Sequence, residues 1–354
     1  MDYAVKIEKT KHPKALPAAE SLAFGRIFTD HMFVLDYTEG TGWHDPRIVP
    51  YEALSMDPAT MILHYGQAVF EGLKAYRTEE GHIHLFRPDR NMARLNASNQ
   101  RLCIPPVDEK LFVHYLKEFV KVESRWVPDR PGTSLYIRPF IIATEVLLGV
   151  KPSATYKFLI IASPVGAYLK AAGPLKILVE HEDVRAVRGG VGAAKTPANY
   201  AASLQGQVKA QKEGCAQVLW LDGVERKYIE EVGMMNVFFK IAGRIVTPEL
   251  QGSILPGVTR ETVITLLKEW GFELEQRKIS IDEIWEAHRQ GQLEEAFGTG
   301  TAAVISPIGI FKDRDQLMEL PNPEGGPVAK RLYETITALQ YGKTPDTHGW
   351  VQTL

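Results

Sequence analysis

The chain of 354 residues has only two cysteines, Cys103 and Cys215. Two thiols cannot build a disulfide framework or a four-cysteine zinc site, and they point to a reducing compartment. An excess of charge of one sign is also missing: 41 Lys and Arg stand against 43 Asp and Glu, a formal net charge of −2. That balance argues against the basic surplus or stripe that holds nucleic acid. The longest apolar stretches lie near Phe158–Tyr168 and Ala302–Phe311. Both fall short of the roughly 20 residues a membrane helix needs. Residues Met1 to Leu16 carry scattered lysines, an early Asp2 and no apolar run, so neither a signal peptide nor an acid-poor transit peptide is expected. The ten histidines show no His-Glu-x-x-His or comparable spacing, so no metal is expected. Internal repeats and low-complexity tracts are absent. With 45% hydrophobic and 24% charged residues, the composition is that of a soluble globular protein. The expectation is a cytoplasmic location, two domains, and no nucleic-acid or membrane partner.

Strand and helix signals are both frequent and do not alternate as strict βαβ units, which predicts an α+β (mixed α/β) fold. Tyr3–Ile7 alternates at period two, and His82–Phe86 reads as a strand followed by Pro88 at a helix start. Asp108 caps a predicted helix whose apolar face is Leu111, Phe112, Tyr115, Leu116 and Phe119. Ser134–Thr144 is strand-like, with Pro139 predicting an edge or a bulge. Pro164–Pro174 holds prolines, glycines and alanines and reads as a linker. The division expected is a small N-terminal domain over 1–165, a linker over 166–174 and a larger domain over 175–354. In the latter, a helix is predicted with Tyr200, Leu204, Val208 and Gln211 on one face, closed by Gly214. Ala242-Gly243 marks a hairpin, and Ser280-Ile-Asp-Glu283 a capping box.

Chemistry is densest at Gly189–Thr196. The segment nearly matches a phosphate loop, but Ala194 stands where the second glycine belongs, Pro197 follows, and no Walker-B Asp is in view. A lysine among small residues suits another chemistry: desolvation frees its amine to form a Schiff base with an aldehyde, the alternative being a lysine on a solvated turn. Phe297–Ala303 imitates a dinucleotide fingerprint but precedes Val304–Pro307, which cannot be the required helix. Its glycines and threonines can still offer donors to an anion, or form an ordinary turn. Leu255-Pro-Gly-Val-Thr259 opens a helix, whose first N–H groups suit a phosphate. Glu230-Glu231 reads as a solvated pair of which one member could face inward. Tyr136 and Arg138 share a strand face, where the arginine either snorkels to water or receives a carboxylate.

Seven ordered segments resemble the branched-chain amino acid aminotransferases of the class IV (fold-type IV) pyridoxal-phosphate family. They begin with Phe24–Met32, Leu63–Lys74, Leu85–Arg94 and Tyr136–Pro139, and continue with Gly190–Tyr200, Glu231–Asn236 and Leu255–Val258. The resemblance implies a two-domain fold, a homodimer, and pyridoxal 5'-phosphate as cofactor. It also implies reversible ping-pong transfer of the amino group of leucine, isoleucine or valine to 2-oxoglutarate, in amino-acid biosynthesis. D-amino-acid aminotransferases and aminodeoxychorismate lyases share the fold. The Tyr-Ile-Arg-Pro and Phe-Glu-Gly-Leu-Lys runs favour the branched-chain group over them.

By the same resemblance Lys195 is the cofactor-binding and proton-moving lysine. Glu231 faces the pyridine nitrogen, Tyr200 the ring hydroxyl, and Arg94 the phosphate, with Val258, Thr259 and Thr301 adding donors. The substrate carboxylate is implied at Thr301-Ala302. Phe24, Tyr65, Phe70, Tyr200 and a partner subunit's Val150 would line the side-chain pocket, and Arg138 with Tyr136 would meet the glutamate side chain. A Cys-x-x-Cys pair carried by some eukaryotic members is replaced here by Ala303 and Ser306, so no thiol switch is expected there.

Overall fold

The computed structural model describes residues 4–166 and 174–354. The described chain forms two compact units, one of residues 4–166, 194–197 and 338–354, the other of residues 174–193 and 198–337. Most of the predicted linker, residues 167–173, and the first predicted strand residue, Tyr3, lie outside the described residues.

The first unit is built on a sheet of nine strands. Eight are β1 (Lys6–Ile7), β2 (His31–Thr38), β3 (Gly42–Pro50), β4 (Ala68–Phe70), β5 (Leu73–Arg77), β6 (Ile83–Phe86), β7 (Ser134–Ala143) and β8 (Thr155–Val165). They run in the order β1-β3-β2-β8-β7-β5-β6, with β4 also on β7. The edge beside β6 is completed by Val351–Thr353, which pairs antiparallel with it. The C-terminal segment, placed with the second domain by sequence, therefore packs in the first unit. Its three-residue strand carries no periodicity long enough to be seen.

Helix α1 (Ile62–Tyr65) is a single turn. Helix α2 (Pro88–Arg101) starts at the predicted proline. Helix α3 (Glu109–Val122) is capped by Asp108, whose side chain accepts from Lys110 and Leu111 N–H. Phe112, Tyr115, Leu116 and Phe119 of α3 are buried against the sheet, where Phe112 stacks on Phe158 and Tyr115 on Phe33.

Pro139 does not mark an edge. It sits in β7, between β8 and β4/β5, opposite Ile160. Its carbonyl accepts Glu71 N–H at 2.7 Å, so the side where its own N–H would lie faces the break between β4 and β5. The ladder is already interrupted there, and the proline leaves no partner unsatisfied.

The second unit holds ten strands. They are β9 (Lys176–Glu180), β10 (Gln217–Leu221), β11 (Ile229–Val232), β12 (Met235–Ile241), β13 (Arg244–Thr247), β14 (Leu274–Gln276), β15 (Leu293–Gly300), β16 (Val304–Pro307), β17 (Ile310–Asp313) and β18 (Gln316–Glu319). The order is β14-β13-β12-β11-β10-β9-β17-β18, with β15 joining β12 to β16. Ala242 and Gly243 turn the β12–β13 hairpin with φ of 48° and 81°, the left-handed pair that such tight turns demand.

The predicted Tyr200–Gln211 helix is two helices, α4 (Pro197–Ala202) and α5 (Leu204–Lys212). Its predicted apolar face is exposed at Leu204 and Val208, while Gly206 and Ala210 are buried. Close approach explains the reversal. A Cβ on Gly206 would lie 2.5 Å from the Trp220 ring, so the smallest residues face the sheet and the larger ones turn outward. Two further helices follow, α6 (Val258–Glu269) and α7 (Ile281–Arg289), the latter capped by Ser280, which accepts Glu283 N–H. Helix α8 (Pro327–Gln340) precedes the C-terminal segment.

Candidate active site

In the first unit the site residues gather around β4, β7 and α2. Residues 194–197 pack here although both flanking stretches belong to the second unit. Lys195 is pinned through its backbone on two sides. Its N–H donates to Ser98 Oγ at 2.9 Å, and its carbonyl accepts Phe70 N–H at 3.0 Å. Thr196, fully buried, donates its hydroxyl to Ala68 O at 2.8 Å. The Lys195 ammonium lies 5.0 Å from the centre of the Phe70 ring, so the side chain is half-buried against an aromatic face rather than loose on a solvated turn.

The Arg138 guanidinium is 4.8 Å from the centre of the same Phe70 ring. One strand period away, Tyr136 OH accepts from Arg138 Nη2 at 3.0 Å, and the Tyr136 ring meets Phe24 edge-on at 4.8 Å. Arg138 Nε is buried with no hydrogen-bond partner among the described residues. A buried, unanswered guanidinium N–H beside an aromatic wall suits an anionic ligand group. Phe24, Phe70, Tyr136, Arg138 and Lys195 are thus brought together. Tyr65 and Val150 lie elsewhere in this unit: Tyr65 is partly exposed with its OH donating to Leu148 O at 2.7 Å, and Val150 is 85% exposed.

Arg94, on α2, is buried and makes a two-pronged ion pair with Glu71. Nothing in the sequence marks Glu71 for a role, although it stands inside the Phe-Glu-Gly-Leu-Lys run. Burial alone would raise its carboxyl. The Arg94 charge and hydrogen bonds, with the Lys195 charge and Asn91, outweigh burial and hold it below the ordinary carboxylate range.

In the second unit Glu231 is buried on β11. Its Oε1 accepts Leu255 N–H at 2.8 Å, and its Oε2 lies 3.1 Å from Arg185 Nε. Glu230 is buried as well, contrary to a solvated pair. Both faces of β11 are covered, so two adjacent carboxyls must each find a partner. Glu230 accepts from the Ser253 hydroxyl. Burial pushes its carboxyl up to about 7, with Glu231 and Asp222 adding to the rise against Ser253 and Arg185.

Arg185 escaped sequence reasoning because an arginine in a loop carries no periodic or motif signal. It donates from Nη2 to Gly192 O at 3.1 Å and to Ser253 O at 2.6 Å. The glycine-rich turn is explained by the same contact. A Cβ on Gly192 would stand 2.2 Å from Ser253 O, so the glycine serves close backbone approach.

Helix α6 begins at Gly257, which brings no side-chain cap to the first-turn N–H groups, so Val258 and Thr259 stand at an uncapped positive helix end. Asn236 Nδ2 donates to Leu255 O at 2.9 Å and fixes the approach to that turn. Asn236 pairs with Glu231 on one side and Thr299 on the other, which ties Glu231 to the end of β15. Thr301 and Ala302 form the turn from β15 to β16, closed by Val304 at φ 62°. A β-branched residue in that region is strained, by roughly 1–2 kcal/mol. Tyr200 is half-buried on α4, and its carbonyl accepts both Ser203 N–H and hydroxyl.

The sequence profile of the amino-transferase class IV family matches residues 68–310. Branched-chain-amino-acid aminotransferase 2 of Bacillus subtilis strain 168 is 59% identical over 347 residues, covering 98% of this chain and 96% of its own. The crystal structure of the Escherichia coli branched-chain amino acid aminotransferase superposes with a TM-score of 0.75 at 28% identity, covering 90% of this chain and 98% of that one. The branched-chain amino acid aminotransferase of T.th., complexed with N-(5'-phosphopyridoxyl)-L-glutamate, gives 0.73 at 28% identity, covering 90% and 97%. A family match over more than half the chain and a full-length relative well above 30% identity agree with the lysine, the buried acid and the uncapped helix: the chain belongs to the amino-transferase class IV family.

Proposed function

We propose that this protein is a pyridoxal-5'-phosphate-dependent branched-chain amino acid aminotransferase. It moves the amino group of L-leucine, L-isoleucine or L-valine reversibly to 2-oxoglutarate, in a ping-pong cycle. The residues present fit the cofactor. They supply an amine for the aldehyde (Lys195), a buried carboxylate for the ring nitrogen (Glu231), a buried arginine (Arg94) and an uncapped helix start (Val258, Thr259) for the phosphate. Tyr200 would donate to the ring hydroxyl and Thr301 would add a phosphate donor. The bound cofactor supplies an electron sink for the bond broken at the substrate's Cα.

The chain's own residues do the rest. Lys195 holds the cofactor and, once released by the incoming amine, carries the proton at Cα as general base and acid. Glu231, kept in place by Leu255 N–H and Arg185, holds the proton on the ring nitrogen. Thr301-Ala302 would orient the substrate's α-carboxylate. Phe24 and Phe70 offer an apolar wall, and Arg138 with Tyr136 a cationic rim, which suits an aliphatic side chain in one half of the cycle and a carboxylate in the other.

A homodimer is part of the same reading. Leu63, Tyr65, Val146, Leu148 and Val150 are exposed together, with Tyr65 bonded to Leu148 O and Val146 bridged to Thr60. A second copy would cover this apolar patch and bring Tyr65 and Val150 to a substrate. Among the described residues no helix is long and apolar enough to cross a membrane. A cytoplasmic location is part of the same proposal.

The observation that carries the reading is Lys195, anchored through N–H and carbonyl with its amine laid on Phe70. The test is a coupled assay of L- and D-amino donors with 2-oxoglutarate, run beside Lys195→Ala. Transfer from the branched L-amino acids is expected, with the variant slower by on the order of 100- to 10,000-fold, the reach of one general base. Preferred transfer from D-amino acids, or a fully active variant, defeats it.

A further inference from the structure

Glu71 is fully buried at the break between β4 and β5. Four donors meet its carboxylate. Arg94 Nε reaches Oε1 at 2.8 Å, and Arg94 Nη2 and Asn91 Nδ2 each reach Oε2 at 2.8 Å. Gly72 N–H adds a longer contact to Oε2 at 3.2 Å. Two of the three guanidinium nitrogens of Arg94 are therefore committed to one carboxylate. That fixes the plane of the group and the direction of the third nitrogen, Nη1.

The same helix ties this pair to the lysine. Asn91, Arg94 and Ser98 lie at i, i+3 and i+7, one face of α2. Ser98 Oγ donates to Arg94 O at 3.0 Å and accepts Lys195 N–H at 2.9 Å. Phe70, next to Glu71 in sequence, donates to the Lys195 carbonyl. Two cations, Arg94 and Lys195, stand in one partly dry place, and Glu71 is the anion set among them.

We propose that Glu71 is a positioning residue. It locks the Arg94 guanidinium in the orientation that receives the cofactor phosphate, and it balances the charge that Arg94 and Lys195 would otherwise place side by side. This rests on the cofactor reading above and adds a residue to it. Glutamine at position 71 has the same shape but cannot do the same work. Its amide nitrogen must face either Arg94 Nε or the pair of donors at Oε2, N–H against N–H, so Arg94 swings free or keeps a single bond.

The test measures dissociation constants of the apoprotein for pyridoxal 5'-phosphate and for pyridoxal, which lacks the phosphate. The readout is the ratio of the two, in wild type, Glu71→Gln and Glu71→Asp, at one pH and ionic strength. Wild type is expected to prefer the phosphorylated form strongly. In Glu71→Gln that preference falls on the order of 10- to 100-fold, the scale set by outer-shell partners of a binding group. In Glu71→Asp, which keeps the charge but is one methylene short, the preference lies between the two. Using the ratio removes any loss common to both ligands, which a general structural defect would cause. Should Glu71→Gln fail to fold by circular dichroism, Glu71→Asp alone decides: an intermediate preference supports the proposal, and a wild-type preference overturns it. A wild-type protein that prefers the phosphorylated form, beside a Glu71→Gln protein with the same preference, overturns the proposal and leaves the cofactor reading standing. A wild-type protein that takes up neither ligand ends both.

Discussion

On the proposed function, Arg138→Ala is expected to separate the two substrates that one site must accept. The Arg138 side chain is half-buried, bonded through Nη2 to Tyr136 OH, and laid 4.8 Å from the Phe70 ring centre, with Nε buried and unanswered among the described residues. A glutamate or 2-oxoglutarate carboxylate placed there gains a charge-assisted hydrogen bond worth about 1.5–3 kcal/mol. At about 1.4 kcal/mol per factor of ten, its removal slows the reaction with glutamate by roughly 10- to 100-fold. Leucine brings no charge. It loses only the guanidinium that backs Phe70, a contact worth about 0.5–1 kcal/mol, so its loss stays within roughly fivefold. The assay is a stopped-flow half-reaction. The holoenzyme is mixed with glutamate or with leucine, and the change in absorbance of the bound cofactor gives each apparent second-order rate constant. The ratio of the two rate constants is expected to shift toward leucine by roughly 2- to 50-fold. Equal losses for both amino acids would refute this account of Arg138, whatever their size.

Two further perturbations address stability. Gly206→Ala replaces a poor helix former with the best one in α5, yet its Cβ would sit 2.5 Å from the Trp220 ring. Overpacking of about 1–3 kcal/mol exceeds the helix gain of about 1 kcal/mol, so thermal unfolding is expected at a lower temperature, and a stabilised variant would contradict so close a contact between α5 and Trp220. Asp222→Asn removes a charge that accepts four backbone N–H groups, from Val224, Glu225, Lys227 and Tyr228. Burial raises that carboxyl, but the four N–H groups together outweigh it and hold it below the usual range. A carboxyl lowered on folding stabilises above its unfolded value and loses that contribution as pH falls through the folded one. The variant is therefore expected to melt lower at neutral pH, by about 2 kcal/mol of stability, with the gap from wild type closing in acid. A gap that stays constant into strong acid contradicts the assignment.

What could be read from sequence was what repeats locally or recurs as a motif. The α3 face from Phe112 to Phe119, the Asp108 and Ser280 caps and the Ala242-Gly243 turn each follow from a few adjacent residues. The seven ordered segments carry the family and the proposed roles of Lys195, Glu231 and Arg94. The remainder depended on neighbours distant along the chain. Leu204 and Val208 have helical spacing but lose the buried side to Gly206, because the Trp220 ring leaves room only for hydrogen there. Glu230 and Glu231 look solvated until Arg185 and the Ser253–Leu255 stretch close over the faces of β11. Arg185 and Glu71 are charges in a loop and a strand break, and only the folded chain shows each answering a second charge.

The proline in the middle of β7 has a bearing on engineering. A designer regularising the sheet would replace Pro139 with valine and fuse β4 to β5 into one uninterrupted strand. The notch so erased is the one that admits the Glu71 carboxylate to the interior. Sheet perfection and charge placement thus compete at a single backbone position, and selection for heat tolerance alone would drift toward a sturdier but emptier scaffold.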